Sequence, residues 1–353
     1  MAIIDDPSAY FQTTLYTGNG GTNAITNTGN SDLQPDWIWF KRRDGADNHI
    51  VFDVVRGVTK AIYPDLDNLE DTLSNSLSSF NSDGFTLGAD TASGGSINGS
   101  SETCVAWQWK AGTSVSGTTT GSGTGKAYTG SVNTDAGFSI IRYLGNSSAG
   151  HTIPHNLGAV PKMIIGHGLT GSDTTSWTVY HQSLGATKTV SLNERAAAST
   201  STVWNNTTPT SSVVSLGSSG NVNDNDDAFI LYSFAEKQGY SKISSYVGNG
   251  NADGTFVYTG FKPAWLMAFH TTAGNENWML VDNKRDGFNV ENEQLFPNTN
   301  IAEESNDEVD LLSNGFKLRR ANTRMNGSGA TYIFMAFAEN PFVASNFVTT
   351  TAR

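Results

Sequence analysis

The residues of this chain with chemistry to offer are six histidines and thirty-three acidic side chains. His151 and His155 flank Thr152-Ile153-Pro154, which places two imidazoles at one turn. Zinc needs at least a third ligand, and no His, Cys or carboxylate lies close to that pair in sequence. His167 and His270 each follow a Pro-led apolar run and read as polar residues at strand ends. The densest oxygen cluster is Asn223-Asp224-Asn225-Asp226-Asp227. Asp224, Asp226 and Asp227 are therefore the candidates for Ca²⁺, a hard cation bound by carboxylate and carbonyl oxygens. The cluster lacks the Gly and the closing Glu of an EF-hand loop, and its plainer reading is a solvated turn. Glu303-Glu304 and Asp307-Glu308 read the same way, as a solvated acidic loop.

Catalysis finds little footing. A glycan hydrolase needs two carboxylates at a fixed separation, and no acid here stands in a distinctive motif. Phosphate loops, dinucleotide fingerprints, Gly-x-Ser-x-Gly elbows and His-Glu-x-x-His pairs are all missing from the sequence. The expectation is a protein that is not an enzyme and carries no cofactor. Eight tryptophans offer a different chemistry, stacking on sugar rings or other partners. Seven of them lie in repeated apolar runs and are expected in a core. Trp204, in the loop Thr202-Val203-Trp204-Asn205-Asn206, has no counterpart elsewhere and is the candidate for an exposed, glycan-binding ring.

These residues must be positioned by strands. Charged residues make up only 15% of the chain, and Gly, Ser, Thr and Asn take their place. That mix suits short strands joined by turns, because Gly and Asn tolerate the positive φ that turns require. The formal net charge of -12 argues against a nucleic-acid partner, which needs a positive footprint. No apolar stretch is long enough for a membrane-spanning helix, and Met1–Asp6 lacks the regions of a signal peptide. Synthesis in a cytoplasm without export by that route follows as an expectation. The single cysteine, Cys104, sits in an apolar run and reads as a buried thiol.

A repeat organises the chain. Leu15-Tyr16-Thr17-Gly18-Asn19 returns as Arg142-Tyr143-Leu144-Gly145-Asn146 and as Ser245-Tyr246-Val247-Gly248-Asn249. A Pro-led strand follows in each copy, at Pro35, Pro161 and Pro263. Each copy closes on an apolar run, Val105–Lys110, Ile230–Ala235 and Ile333–Ala338. Copies one and three also share Asp53-Val54-Val55-Arg56-Gly57 and Asp282-Asn283-Lys284-Arg285-Asp286-Gly287. The runs are short, β-branched and aromatic, and bounded by Gly, Asn and Asp, which is the pattern of strands. The expected fold is all-β with little helix: three tandem, diverged β-sandwich domains, each of two packed sheets as in a jelly roll. Their bounds are 1–111, 126–239 and 240–342. A flexible Gly/Ser/Thr linker is expected at 112–125 and a C-terminal tail at 343–353. Copies two and three, joined without a linker, are expected to pack as a rigid pair. Trp107 and Trp109 alternate with Gln108 and Lys110 as in a half-buried strand. Leu66, Leu69, Leu73 and Leu77 recur at helical spacing and predict one short helix.

The opening Asp6-Pro7-Ser8-Ala9-Tyr10-Phe11-Gln12-Thr13-Thr14-Leu15-Tyr16-Thr17-Gly18-Asn19-Gly20, the run Gln34-Pro35-Asp36-Trp37-Ile38-Trp39-Phe40, the segment Tyr180-His181-Gln182-Ser183-Leu184-Gly185 and the ending Ala336-Phe337-Ala338-Glu339-Asn340-Pro341-Phe342 carry a resemblance. The chain resembles tail-fibre-like and other virion structural proteins of marine and cyanobacterial tailed phages, whose repeated domains look like concanavalin-type sandwiches. The resemblance implies a protein on the surface of a phage particle. Its partners would be other tail or capsid proteins and host surface glycan, with a homotrimer as one assembly open to it. A tail fibre or spike adhesin is the first reading and a capsid decoration protein the second. A polysaccharide depolymerase is the third. No catalytic residues are carried over.

Overall fold

The computed structural model describes residues 3–90, 96–171 and 174–342. The expected C-terminal tail, 343–353, lies outside the described residues. The fold is all-β, with many antiparallel sheets and, among the described residues, only single turns of helix at Pro7–Ala9, Gly220–Asn223 and Thr323–Asn326. Among the described residues no helix is long and apolar enough to cross a membrane.

The three repeats share one topology. In the first, a four-stranded sheet runs Phe11–Thr17, Thr103–Trp109, Trp37–Arg42, Ile50–Asp53, so the closing strand inserts between the first and second. The third repeats this order with Ser241–Val247, Thr331–Pro341, Phe261–His270 and Met279–Asp282. The second has it too, with Phe138–Leu144, Ala228–Phe234, Met163–Gly168 and Thr178–His181 embedded in a sheet of eight. The register makes the repeats equivalent residue by residue. Trp109 lies opposite Phe11 and Trp37, Phe234 opposite Phe138 and Met163, and Phe337 opposite Ser241 and Trp265.

Each of these sheets is buried on both faces. One face packs against a second sheet of its own repeat. In repeat one, Ile38, Phe40, Phe52, Cys104 and Ala106 meet Leu77, Phe85 and Leu87 of that layer. The other face of all three sheets points into a single shared core. Trp37, Trp109, Phe138, Phe234, Trp265 and Phe337 belong to one buried cluster. Ring centroids lie 5.6 Å apart for Trp37 and Phe138, 5.5 Å for Trp109 and Phe337, and 6.0 Å for Phe234 and Phe337. The rigid pair expected of repeats two and three is thus a set of three. The expected half-buried strand is also corrected. Gln108 is fully buried on the face away from Trp107, where its amide donates to Thr14 Oγ1 at 3.0 Å and Asn27 Oδ1 at 2.7 Å.

The Tyr-x-Gly-Asn signature has a physical cause. The Tyr16, Tyr143 and Tyr246 hydroxyls donate to the carbonyls of Ile97, Val222 and Met325. The next residues, Asn98, Asn223 and Asn326, are fully buried, and their Oδ1 atoms accept from the backbone N–H of Asn19, Asn146 and Asn249. A Cβ on Gly145 would stand 2.7 Å from the Asn223 carbonyl carbon, and one on Gly248 2.8 Å from that of Asn326, so only glycine fits.

Two local expectations fail. Residues 112–125 are not a loose linker. Thr113–Thr118 pairs with Ala127–Asn133, which pairs with Phe138–Leu144, and Thr120–Gly121 pairs with His151–Pro154. Polar residues suffice there because an exposed edge hairpin contributes backbone hydrogen bonds without filling a core. The leucine stripe is not a helix. Leu66 closes a turn, Asp71–Thr72 pairs with Lys60–Ala61, and Leu77 opens a strand. Asp65, just ahead of the stripe, accepts from the His49 backbone N–H at 3.0 Å. Burial of Leu66, Leu73 and Leu77 against their own repeat outweighs the weak helical preference.

Candidate functional site: the seams between the three units

The sequence candidates are built into structure. Trp204 is fully buried, packed edge-on to Tyr180 at 6.0 Å, so it cannot stack on a glycan. Its loop folds inward because Val203 and Trp204 fill the core of repeat two. A lone apolar Trp in a polar loop carries no signal that separates burial from exposure.

The three aspartates diverge. The Asp226 side chain pairs with Lys126 and accepts from Asn225 Nδ2, and the Lys126 ammonium holds its carboxyl below the usual range. Asp224 Oδ1 accepts from Ser147 Oγ at 3.2 Å and from the Asn225 N–H. The Asp227 carboxylate lies against Gly171. Among the described residues, no group of three or more His, Cys, Asp or Glu side chains is arranged to hold a metal ion.

The histidines serve packing. His151 is buried between Asn223 Oδ1 at 2.8 Å and Thr119 Oγ1 at 2.6 Å. His155 is buried against the Thr210 carbonyl and receives the Leu157 N–H. His167 stacks on Trp177 at 4.4 Å, and burial pushes its pKa down to about 4. The expected acidic loop is partly a strand, Glu304–Leu312. Glu303 is clamped by Arg43 and Arg285, which hold its carboxyl below the usual range against the cost of burial. Glu308 is buried, its pKa raised by desolvation, and it accepts from Asn322 Nδ2.

Two buried ion pairs lie at seams between repeats, and with a third, neutral contact they close a ring. Asp53 and Arg56, both with fully buried side chains, form an ion pair at 2.6 Å. The Tyr232 hydroxyl of repeat two donates to Asp53 Oδ2 at 2.7 Å. At the matching place in repeat three, Asp282 and Arg285 pair at 2.6 Å, and the Trp107 indole N–H of repeat one donates to Asp282 Oδ2 at 2.9 Å. The remaining seam uses other chemistry. His181 stands where Asp53 and Asp282 stand, Leu184 replaces the arginine, and Met335 replaces Tyr232 and Trp107. A methionine has no proton to give, so a buried carboxylate there would lack its donor. His181 accepts the Ser183 N–H on Nδ1 and places Nε2 against the Phe334 carbonyl at 3.3 Å. Burial lowers its pKa to about 4, so the ring is neutral. Repeat one is thus joined to two, two to three, and three to one. A second set of contacts runs between the same units. Trp177 Nε1 donates to the Tyr63 carbonyl and Trp278 Nε1 to the Ser191 carbonyl, each at 2.9 Å.

The family described as a domain of unknown function, DUF7483, matches residues 6–341. The chain belongs to the DUF7483 family. Its match runs across all three repeats, in keeping with units that share a core and close on one another. No curated protein matches the chain. The sequence displays the Asp53–Arg56 and Asp282–Arg285 parallel but not its use, because the partners Tyr232 and Trp107 lie in other repeats.

The seams leave open clefts. One, of about 240 Å³ between repeats one and three, is lined by Phe11, Gln12, Thr13, Asn283, Lys284 and Glu339 among others. Asn283 is buried, and neither polar atom of its carboxamide has a hydrogen-bond partner among the described residues. The cleft presents amide, hydroxyl and aromatic groups, with an exposed ammonium at Lys284.

Proposed function

We propose that this protein is a non-enzymatic structural component of a phage virion surface, a tail fibre or spike-like adhesin that contacts host surface glycan. Its three repeats are read as β-sandwiches of jelly-roll, concanavalin-like type. The observation that carries the reading is the closed ring. Buried charges of the kind an enzyme would use are committed at two of its three seams to holding the units around one core, which makes a rigid body suited to display rather than turnover. The resemblance of its opening and closing segments to phage virion proteins supplies the setting. Contact with glycan would use clefts and loops at the seams, where amide and hydroxyl groups suit a neutral sugar. Several copies per particle would add weak contacts through avidity. The second reading, capsid decoration, rests on the same compactness, since the described chain includes no rod-like coiled coil.

Cryo-electron microscopy of intact particles tests both. Density fitting this body on the tail is the expected result. Density on the head replaces adhesion with decoration, and its absence from particles overturns the virion reading. Purified protein is expected to bind host cells, with binding lost after periodate oxidation of their glycans. Release of sugar fragments from those cells would make it an enzyme.

A further inference from the structure

The three seams are built from equivalent positions but are filled differently. The residues after Asp53, His181 and Asp282 are Val54, Gln182 and Asn283, and their backbone N–H groups donate to the carbonyls of Asp36, Lys162 and Ala264 at 2.9, 2.8 and 2.9 Å. On the far side of each seam, the matching residues of the next repeat's first strand are Ile140, Ile243 and Thr13, which lie opposite Tyr232, Met335 and Trp107. At the first seam both places are apolar, Val54 and Ile140. At the second, Gln182 Nε2 donates to the Ile243 carbonyl and closes the gap. At the third, both places are polar. Asn283 is 2% exposed and Thr13 6%. Among the described residues, neither polar atom of the Asn283 carboxamide nor Thr13 Oγ1 has a hydrogen-bond partner. Asn283 is one methylene shorter than Gln182 and does not make the contact that Gln182 makes. Both residues line the cleft of about 240 Å³ between repeats one and three.

We propose that this cleft takes one neutral sugar ring, with two adjacent hydroxyls on the Asn283 carboxamide and a further hydroxyl on Thr13. The proposal rests on the reading of the protein as a glycan-contacting body and narrows it to a single cleft. The unused groups select the ligand. A carboxamide sets N–H donors beside a carbonyl acceptor, and a threonine hydroxyl both donates and accepts. Adjacent sugar hydroxyls also donate and accept, so they satisfy these groups without bringing in charge. Burying such groups without partners is costly, and a ligand that pairs them recovers that cost. Other polar groups of the cleft are already engaged. The Gln12 carboxamide donates to the Ser8 and Ser31 carbonyls and accepts from the Gly29 N–H. Glu339 pairs with Lys262 at 3.1 Å. Phe11, Ala264 and Ala338 give the cleft an apolar wall for the C–H face of a ring. Its volume falls below the roughly 300–1,000 Å³ of sites for drug-sized ligands, which limits the occupant to about one ring.

NMR titration of the full chain with the methyl glycosides of glucose, galactose, mannose and N-acetylglucosamine tests this. At least one is expected to bind. Asn283→Gln supplies the missing methylene and should close the cleft as Gln182 closes its seam. It is expected to weaken binding on the order of tenfold or more while the melting temperature stays level or rises. Thr13→Val should weaken binding in the same direction, and Asn283→Gln serves alone where that variant fails to fold. Binding that neither variant weakens places the sugar elsewhere and overturns the proposal. Binding by none of the four glycosides, with both variants at least as stable as the parent, leaves the cleft to ordered water only and also overturns it. Periodate-sensitive binding to host cells in either of those cases keeps the adhesin reading while this site falls. Glycoside binding lost in Asn283→Gln, without any binding to host cells, keeps the site while the adhesin reading falls.

Discussion

At the scale of single residues, the seams place buried charge where its loss is costly. Asp282 is met by Arg285, the Trp107 N–H and the Lys284 and Arg285 backbone N–H groups. Removing one member of such a pair strands the other without solvent. Arg285→Met is therefore expected to cost about 3–5 kcal/mol in urea unfolding, and Asp282→Leu with Arg285→Met to cost less than Arg285→Met alone. Asp36 is another buried acid. It is 3% exposed, and burial raises its pKa to about 6 although the Ala111 N–H donates to it. An acid with a raised folded pKa binds a proton that the unfolded chain has already released. Its stabilising effect is complete below the unfolded value of about 3.8 and is lost as pH rises to about 6. The loss is on the order of 2–3 kcal/mol. Thermal denaturation between pH 4 and 7 should show a flatter profile for Asp36→Asn than for the parent.

At the scale of elements, residues 112–125 show how composition misleads. Gly, Ser and Thr read as a linker because they cannot fill a core, yet an edge hairpin asks only for backbone pairing and φ values that Gly121 and Gly123 supply. Lys126, which follows directly, is a tryptic site held at Asp226. Limited proteolysis with elastase or trypsin is expected to leave 112–126 intact under native conditions. Rapid cutting there would restore the flexible linker. The leucine stripe at 66–77 makes the same point in reverse. Spacing suited to a helix yields to side chains that bury better in turns and short strands of their own repeat.

At the scale of the whole molecule, the three repeats share one core. Each inner sheet hides Trp or Phe side chains in the shared core, so a single repeat in isolation would expose a broad aromatic face. Residues 1–111 alone are expected to aggregate or remain unfolded. The full chain should melt in one calorimetric transition, with calorimetric and van't Hoff enthalpies equal. Trp109→Ala should lower the stability of that whole transition by about 3–5 kcal/mol. Separate melting of three units would contradict a shared core.

The repeat was legible in the sequence because its signature residues act locally in each unit: a tyrosine, a glycine with no room for a Cβ, and the asparagine after it. Strand content was legible for the same reason, since alternation and turn residues are short-range constraints. The buried Asn98, Asn223 and Asn326 could have been found as apolar-Asn pairs ahead of each closing strand, but nothing in their spacing marks them as buried. Burial of Trp204, the fate of the aspartates and the ring of Asp53, His181 and Asp282 were decided only by tertiary structure. Each depends on a partner in another segment: Tyr180 for Trp204, Lys126 for Asp226, Tyr232 and Trp107 for the two aspartates at the seams. A sequence records which groups need partners, and only the packed chain determines which ones meet.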